Sequence, residues 1–531
     1  MRKILRKIRM LVYWAVLMMP VVFPVYFLRF SVGGVPMTYV EVAVYIIFAV
    51  WVLSGGVNKK VVQRVMRDKV FWLTGLFLVA AVVSAFIVPK SFLKVDGTEI
   101  ESFKVALGVL KGWVFMPILY AIMVKAHVES DREKKLLILA LVASGFWLGL
   151  WAVWQVLTGG YLTLDQRASA MYESANYLAL YLAPICVLCG VSLVSVFRRR
   201  FDYKSAISIV LSLMIFAAMF FTKSYAGYLA VFGGLGVWFL LSKNFTRKIK
   251  VWACGGLVLA LVLAGLSQVG TEKFQTFLDF SERSSSSARM QIWNASVDMI
   301  SEHPLVGIGL GQFEPQYQWK VADLYGMETY EWLMPHPHNF LLGIWLNFGL
   351  LGVLAMVAIL VLAFRRVRSE ISFIVACALV AVLIHGLFDM PFMKNDLAME
   401  FWVLIVMMGE VISGRVVKGA GLGRKLGFPT INLDVEGESG VFLTRVFMDG
   451  VVYRGVMHRG EAFGRGYSCE IYLLDFEGDV YGKKVVVEVG RKIRDTKKFS
   501  DTEELKEQIA KDVATERILG FFSISLMPVF T

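Results

Sequence analysis

The feature that most limits what this chain can fold into is a series of apolar runs about as long as a bilayer is thick. A membrane-crossing helix needs ~20 mostly apolar residues. Twelve such stretches are read here, some of them short: roughly 11–30, 37–54, 70–89, 103–124, 136–157, 175–197, 205–222, 224–242, 249–267, 339–364, 370–387 and 398–412. Charged residues are 18% of the chain, against about 25% in a typical soluble domain. Composition therefore excludes a disordered chain and argues against a single water-soluble globule. The first run follows Arg2, Lys3, Arg6, Lys7 and Arg9. No small-residue cleavage site follows and more spans do, so it reads as an anchor.

Charge placement sets the expected orientation. With the N-terminus in the cytoplasm and spans alternating, the inner segments hold 25 Lys and Arg and the outer loops nine. That asymmetry is the positive-inside pattern. It explains most of the net charge of +13 as topology, so no nucleic-acid partner is expected. Membrane lipids are. Both chain ends are expected in the cytoplasm. Cys186, Cys189, Cys254 and Cys377 fall in apolar runs and read as packing residues.

One outer loop, 268–338, is long, and long loops usually carry function. It has a helical-looking stretch from Arg289 to Ser301, then Pro304 and the glycines Gly307, Gly309 and Gly311. It ends in Pro335-His336-Pro337-His338-Asn339 at the mouth of a span. A histidine there can serve as a base near neutral pH. Gly349 and Gly352, three residues apart on the same helix, would allow close packing. The plain reading of these residues is a capped interfacial helix with a small-residue seam. Lys111 falls inside the fourth span, with no role assigned.

His338-Asn339, followed by Gly349 and Gly352, resembles the signature of the O-antigen ligase and polymerase superfamily. So do Arg289 to Trp293 with His303 to Gly309, Arg167 through Asn176 to Ala179, and His385-Gly386-Leu387-Phe388-Asp389. The resemblance covers about 1–412 and implies a GT-C-like fold in a bacterial inner membrane. It implies a glycan donor carried on undecaprenyl diphosphate and an acceptor hydroxyl on a lipid, polysaccharide or protein. His338 would activate that hydroxyl. Arg167 and Arg289 would bind the diphosphate, since guanidinium forks pair with phosphates. No Asp-x-Asp pair stands out in the outer loops, and no metal is expected in this part. Where family members often carry Ser-Arg, this chain has Ser224-Tyr225 preceded by Lys223. A polymerase or a protein O-glycosylating transferase is the alternative within the family. A transporter is the rival outside it, but its expected internal repeats and broken midplane helices are not evident.

After residue 412 the texture changes. Strands are expected at Val441 to Met448 and Val451 to Met457, joined at Asp449-Gly450, and at Cys469 to Leu474 and Lys484 to Val489. Ser500-Asp501-Thr502-Glu503 is a capping box before an amphipathic helix through Leu505, Ile509 and Val513. A small β-barrel with a C-terminal helix follows, in a cytoplasmic unit 413–531 beside a membrane unit 1–412. The glycine-rich start is not a dinucleotide fingerprint: position 424 is Arg, no helix pattern follows and Pro429 interrupts. Gly423 to Asn432, Glu470 to Gly482, and Arg494, Asp495, Lys497 and Phe499 instead resemble riboflavin kinase. The resemblance implies transfer of phosphate from ATP to riboflavin, giving FMN. The loop of Gly421, Gly423, Arg424 and Gly427 would hold the nucleotide. Thr430 and Asn432 would bind Mg²⁺, and Glu470 would be the general base. The family's Asn-x-Gly-x-x-Pro-Thr stretch is here Met457 to Phe463. The alternative is a degenerate tail that binds flavin or nucleotide without turnover.

Overall fold

The computed structural model describes residues 2–66, 68–197, 201–242, 245–252, 285–326, 329–367, 369–419, 421–436, 439–449, 451–462, 466–497, 499 and 501–524. Among them, seven helices are long and apolar enough to cross a membrane: Lys3–Phe27, Lys69–Phe86, Ser102–His127, Asp131–Thr158, Ala175–Val196, Tyr203–Phe221 and Phe340–Phe364. Tyr39–Leu53, Tyr225–Leu241 and Glu370–His385 are shorter apolar helices. Residues 253–267 of the expected ninth span, and 268–284 of the expected long loop, lie outside the described residues.

Local chemistry explains the helix limits. Ser130 caps Asp131–Thr158 through the Arg132 amide, and Gly159, at φ +67°, ends it. Asp202 and Ser205 form a capping box at the start of Tyr203–Phe221. Pro20 and Pro24 tighten the end of the first helix into a 3-10 segment, Met19–Phe27. Small residues set the close contacts: a Cβ on Gly234 would lie 2.7 Å from Val187 Cγ2 and 2.8 Å from the Cys377 carbonyl oxygen. Lys111 lies in a π-helical turn and pairs with buried Glu41. Its place is structural.

The helix before the barrel, Asn395–Met407, stops earlier than the expected span 398–412. Glu410–Val417 is a strand, pairing Glu410 with Val489. The barrel thus begins inside the range expected for the bundle, because sheet pairing claims the apolar residues Val411 and Ile412. The six barrel strands are β1 (Glu410–Val417), β2 (Thr430–Leu433), β3 (Gly440–Met448), β4 (Val451–Ala462), β5 (Gly466–Leu473) and β6 (Lys484–Arg494). They close in the order β6-β1-β2-β5-β4-β3, with every described pairing antiparallel. Alternate residues such as Ile431, Leu433, Ile471 and Val487 fill the interior. The helix Thr502–Ile524 is pinned to β6 by Arg494, which grips Asp512 at 3.0 and 2.7 Å.

Charge ties the barrel to one end of the bundle. Lys125 Nζ lies 2.8 Å from a Glu488 oxygen on β6 and 3.1 Å from Asp68. Arg366 also grips Asp68. Burial pushes the Asp68 carboxyl up, but Lys125 and Arg366 outweigh it and hold it well below the usual carboxylate range. Lys484 meets Glu129 at 2.7 Å, and buried Lys134 donates to the Gly409 carbonyl. The opposite end has its own contacts: Lys94 with Glu314 at 2.6 Å, and Trp319 Nε1 with the Leu93 carbonyl at 2.8 Å.

Candidate active sites

At the bundle end away from the barrel, the helix Phe340–Phe364 starts from Asn339. The Asn339 side-chain oxygen accepts from the Leu341 and Leu342 amides at 3.0 and 3.1 Å, and its Nδ2 donates to the Leu387 carbonyl at 3.3 Å. The Phe340 amide donates to the Gly386 carbonyl at 2.7 Å. Asn339 is therefore both a helix cap and a clasp to the 385–389 turn. That turn carries Asp389, which is buried.

His338 takes φ +49°, a left-handed conformation that side chains seldom adopt. Its Nδ1 lies 3.3 Å from Asp389 Oδ1, at ion-pair distance but without the alignment of a hydrogen bond. Its ring stays 22% exposed, so one edge remains accessible. The His338 amide donates to His336 Nδ1 at 3.3 Å, which leaves the proton on His336 Nε2. That nitrogen lies 2.8 Å from Tyr177 Oη and 3.7 Å from Asp389 Oδ1. Burial pushes the His336 imidazole down to about 4, against a partial upward pull from Asp389, so it is neutral at neutral pH. Burial would push Asp389 up, but its contact with His338 and the neighbouring imidazoles outweigh that and hold it below the usual carboxylate range.

Arg289 is half-buried on the helix Ser285–Glu302. Among the described residues its guanidinium has no hydrogen-bond or ion-pair partner, and its charge acts on His385. One turn later, Trp293 Nε1 donates to the Pro337 carbonyl at 3.0 Å, fixing this helix beside His338. Arg167 is differently employed. Its Nε donates to the Thr222 carbonyl at 2.7 Å, and its other nitrogens reach Asn176 at 2.6 Å and Asp165 at 3.2 Å. It closes its own loop rather than joining the histidines. Lys223 Nζ donates to the Gln166 carbonyl at 3.1 Å.

The glycines differ from the expected seam on a continuous helix. Gly349 has φ +64° and ψ −171°, which breaks the helix. The Leu350 amide turns to the carbonyls of Pro304 and Leu305 at 3.2 and 3.1 Å, and the Ile308 amide bonds to the Leu346 carbonyl at 2.9 Å. A Cβ on Gly349 would lie 2.1 Å from the Leu305 oxygen. The 304–311 loop is inserted into this break, and only glycine lets two backbones come so close. A Cβ on Gly352 would collide with Phe348 Cβ at 2.2 Å.

Asp389, His336 and Tyr177 stand within the motif segments, but the sequence alone assigns them no role. An acidic residue four positions after a histidine, just past an apolar run, was the available signal for Asp389. The donor atoms of His336, His338 and Asp389 all lie within 4.8 Å of one another, a spacing that a metal ion could use. Two of those donors already have protein partners, Tyr177 on His336 and the Met390 amide on Asp389.

The barrel site is built by register. Asn432 on β2 pairs with Glu470 on β5, and Glu470 pairs with His458 on β4. Directly opposed residues share a face, and Thr430 shares it by alternation. Thr430 Oγ1 donates to Glu470 Oε2 at 3.3 Å. Burial pushes the His458 imidazole down, and Glu470 partly offsets this. Gly421 and Gly427 take φ +73° and +85°, bounding a single helical turn, Leu422–Lys425, where no helix was expected. Arg424 lies exposed on that turn. A Cβ on Gly419 would lie 2.2 Å from Asn432 Nδ2, and one on Gly423 would lie 2.4 Å from the Phe428 oxygen. The loop is thus folded tightly over Thr430 and Asn432. Their side-chain oxygens and the Glu470 carboxylate are hard donors of the kind that suit Mg²⁺.

Comparison with known proteins divides the chain in the same way. Residues 207–357 match the family model described as O-Antigen ligase, and residues 410–519 match that of Riboflavin kinase. Each match covers less than half of the chain. Similar curated proteins include the RNA-binding riboflavin kinase RibR of Bacillus subtilis (strain 168), 40% identical over 111 residues, 20% of this chain and 48% of the relative. Another is the bifunctional riboflavin kinase/FMN adenylyltransferase of Pseudomonas fluorescens, 38% identical over 117 residues, 20% of this chain and 38% of the relative. The Escherichia coli (strain K12) protein of that description is 38% identical over 124 residues, 22% and 38% of the two chains. The chain spans less than half the length of these relatives. Among solved structures, a macrolide-efflux protein from Streptococcus pneumoniae is 29% identical with a TM-score of 0.20, covering 21% of this chain and 40% of that one. A likeness that low bears no argument.

Proposed function

We propose that the bundle transfers a glycan from undecaprenyl diphosphate to an acceptor hydroxyl at the outer face of a bacterial inner membrane, and that the barrel makes FMN from riboflavin and ATP on the cytoplasmic side. The observation that carries the first part is His338 Nδ1 at 3.3 Å from buried Asp389, at the mouth of the motif helix, with Arg289, which has no partner among the described residues, close by. Asp389 favours the tautomer with the proton on Nδ1, which leaves the Nε2 lone pair for the acceptor. The acceptor O–H bond breaks toward His338 and the oxygen bonds to the anomeric carbon. The bond from that carbon to the diphosphate oxygen breaks, and its electron pair leaves with the diphosphate. Arg289 balances that charge. Arg167 serves by shaping the adjoining loop. The acceptor is a hydroxyl of a lipid, polysaccharide or protein.

In the barrel, Thr430 and Asn432 would hold Mg²⁺ with ATP, and the backbone of Gly421, Gly423 and Gly427 would face the phosphates with Arg424. The ion would neutralise phosphate charge. Glu470 takes the proton from the riboflavin hydroxyl, whose oxygen bonds to the terminal phosphorus of ATP as the bond from that phosphorus to the ADP oxygen breaks and ADP leaves. Sidedness is supported by the barrel's ion pairs, which go to Lys125 at the end of the helix Ser102–His127 and to Glu129 just after it, both in a stretch expected on the inner side by its charge.

The test measures both reactions on one purified full-length preparation. His338→Ala should lower glycan transfer ~10²–10⁴-fold and leave FMN formation unchanged; Glu470→Gln should do the reverse. Full glycan transfer by the His338 variant would end the base assignment.

A further inference from the structure

His385 is the last residue of the helix Glu370–His385, and its side chain is fully buried. Neither ring nitrogen has a hydrogen-bond partner among the described residues. Buried imidazole nitrogens are normally satisfied by protein or ordered water, so an orphaned pair asks for an explanation. The position is well fixed. Gly386 and Leu387 are the residues whose carbonyls clasp Phe340 and Asn339, at 2.7 and 3.3 Å, and the Phe388 amide closes the turn onto the His385 carbonyl at 3.0 Å. The turn from His385 to Asp389 is therefore held against His338 by its own backbone.

The electrostatic surroundings point the same way. Two charges act on His385, those of Asp389 and Arg289. Asp389 is already engaged by His338 at 3.3 Å and by the Met390 amide at 2.9 Å. Arg289 has no partner among the described residues. Two groups with unused donors thus stand together, beside a carboxylate that is already occupied. What such a pair lacks is an anion.

We infer that His385 is a second ligand for the leaving diphosphate, donating a ring N–H to a phosphate oxygen while Arg289 supplies the charge. The inference rests on the reading that the donor is a lipid-linked diphosphate. No proton moves at His385: the acceptor's proton goes to His338, the electron pair of the broken C–O bond stays on the phosphate oxygen, and the His385 N–H stabilises it there. Burial strengthens this bond, because a hydrogen bond to a charged oxygen gains in a dry site.

The experiment uses the full chain in detergent, with saturating Mg²⁺ and ADP to occupy the barrel, and titrates farnesyl diphosphate by calorimetry. Two variants of similar volume are compared: H385Q keeps an N–H donor, and H385L removes it. H385L should bind roughly tenfold or more weakly, the value of a hydrogen bond to a charged group, while H385Q stays close to the unsubstituted chain. Equal affinities in the two variants, whether retained or lost, overturn the inference. If the unsubstituted chain itself fails to bind the probe, the diphosphate reading fails first, and this inference falls with it.

Discussion

In the barrel, Thr430, Asn432, Glu470 and His458 lie on three adjacent strands, and hydrogen-bond register alone brings Asn432, Glu470 and His458 into one row with Thr430 on the same face. At the far end of the bundle, His336, His338, Asp389, Arg289 and Tyr177 come from separate helices and loops, and they meet only because those elements pack. A register site depends on a few local pairings. A packed site depends on every contact that seats its elements, including the glycine break at Gly349. The two sites should therefore respond differently to the same kind of damage.

Chelation should separate them most sharply. EDTA should abolish FMN formation and leave glycan transfer unchanged, with both products measured in one sample. Loss of transfer, restored by a divalent metal, would turn His336, His338 and Asp389 into a metal triad. Next is Asp389→Asn, which keeps the shape and removes the charge that orients His338. Transfer should fall by about 10²-fold at unchanged FMN output; a normal rate would free His338 from its partner.

A glycine pair then compares the scaffolds. Gly349→Ala adds a Cβ 2.1 Å from a backbone oxygen at φ +64°, and should cost the bundle at least ~1–3 kcal/mol. Gly421→Ala, at φ +73° but with nothing within 4 Å, should cost ~1 kcal/mol. Thermal unfolding of the full chain, followed separately by barrel and bundle probes, checks this. The smallest effect is acid sensitivity. The folded-state value of His336, about 4, lies below its ordinary 6.5. The unfolded chain therefore binds the extra proton between those values, and stability falls as pH drops through that window. From pH 7 to pH 6 the loss should be under ~1 kcal/mol, seen as a lower unfolding temperature that His336→Gln abolishes.

Much of this was legible in the residues. Apolar runs exposed the helices because lipid-length segments need a composition that few other structures use. Asp449 beside Gly450 marked the β3–β4 hairpin, and Thr430 alternating with Asn432 showed a shared face. Other features were hidden. β1 looked like the end of a span, because Val411 and Ile412 are as apolar as membrane residues and only their partner β6 distinguishes them. Gly349 and Gly352 looked like a seam, because a helix break is invisible until the 304–311 loop is seen inside it. Arg167 was expected on the diphosphate, and its three acceptors, on residues 165, 176 and 222, show only in the fold.

The sequence by itself determined that this chain holds two unlike units, an apolar helical one and a small barrel, since hydrophobic length and strand alternation are local properties. It also marked His338 and Glu470, whose neighbours form local motifs. Tertiary structure alone decided which carboxylate faces His338, that Arg289 rather than Arg167 stands beside the histidines, and that Lys125 and Glu488 join barrel to bundle. Those facts depend on residues far apart in the chain, and only the packing of whole elements sets the distances between them.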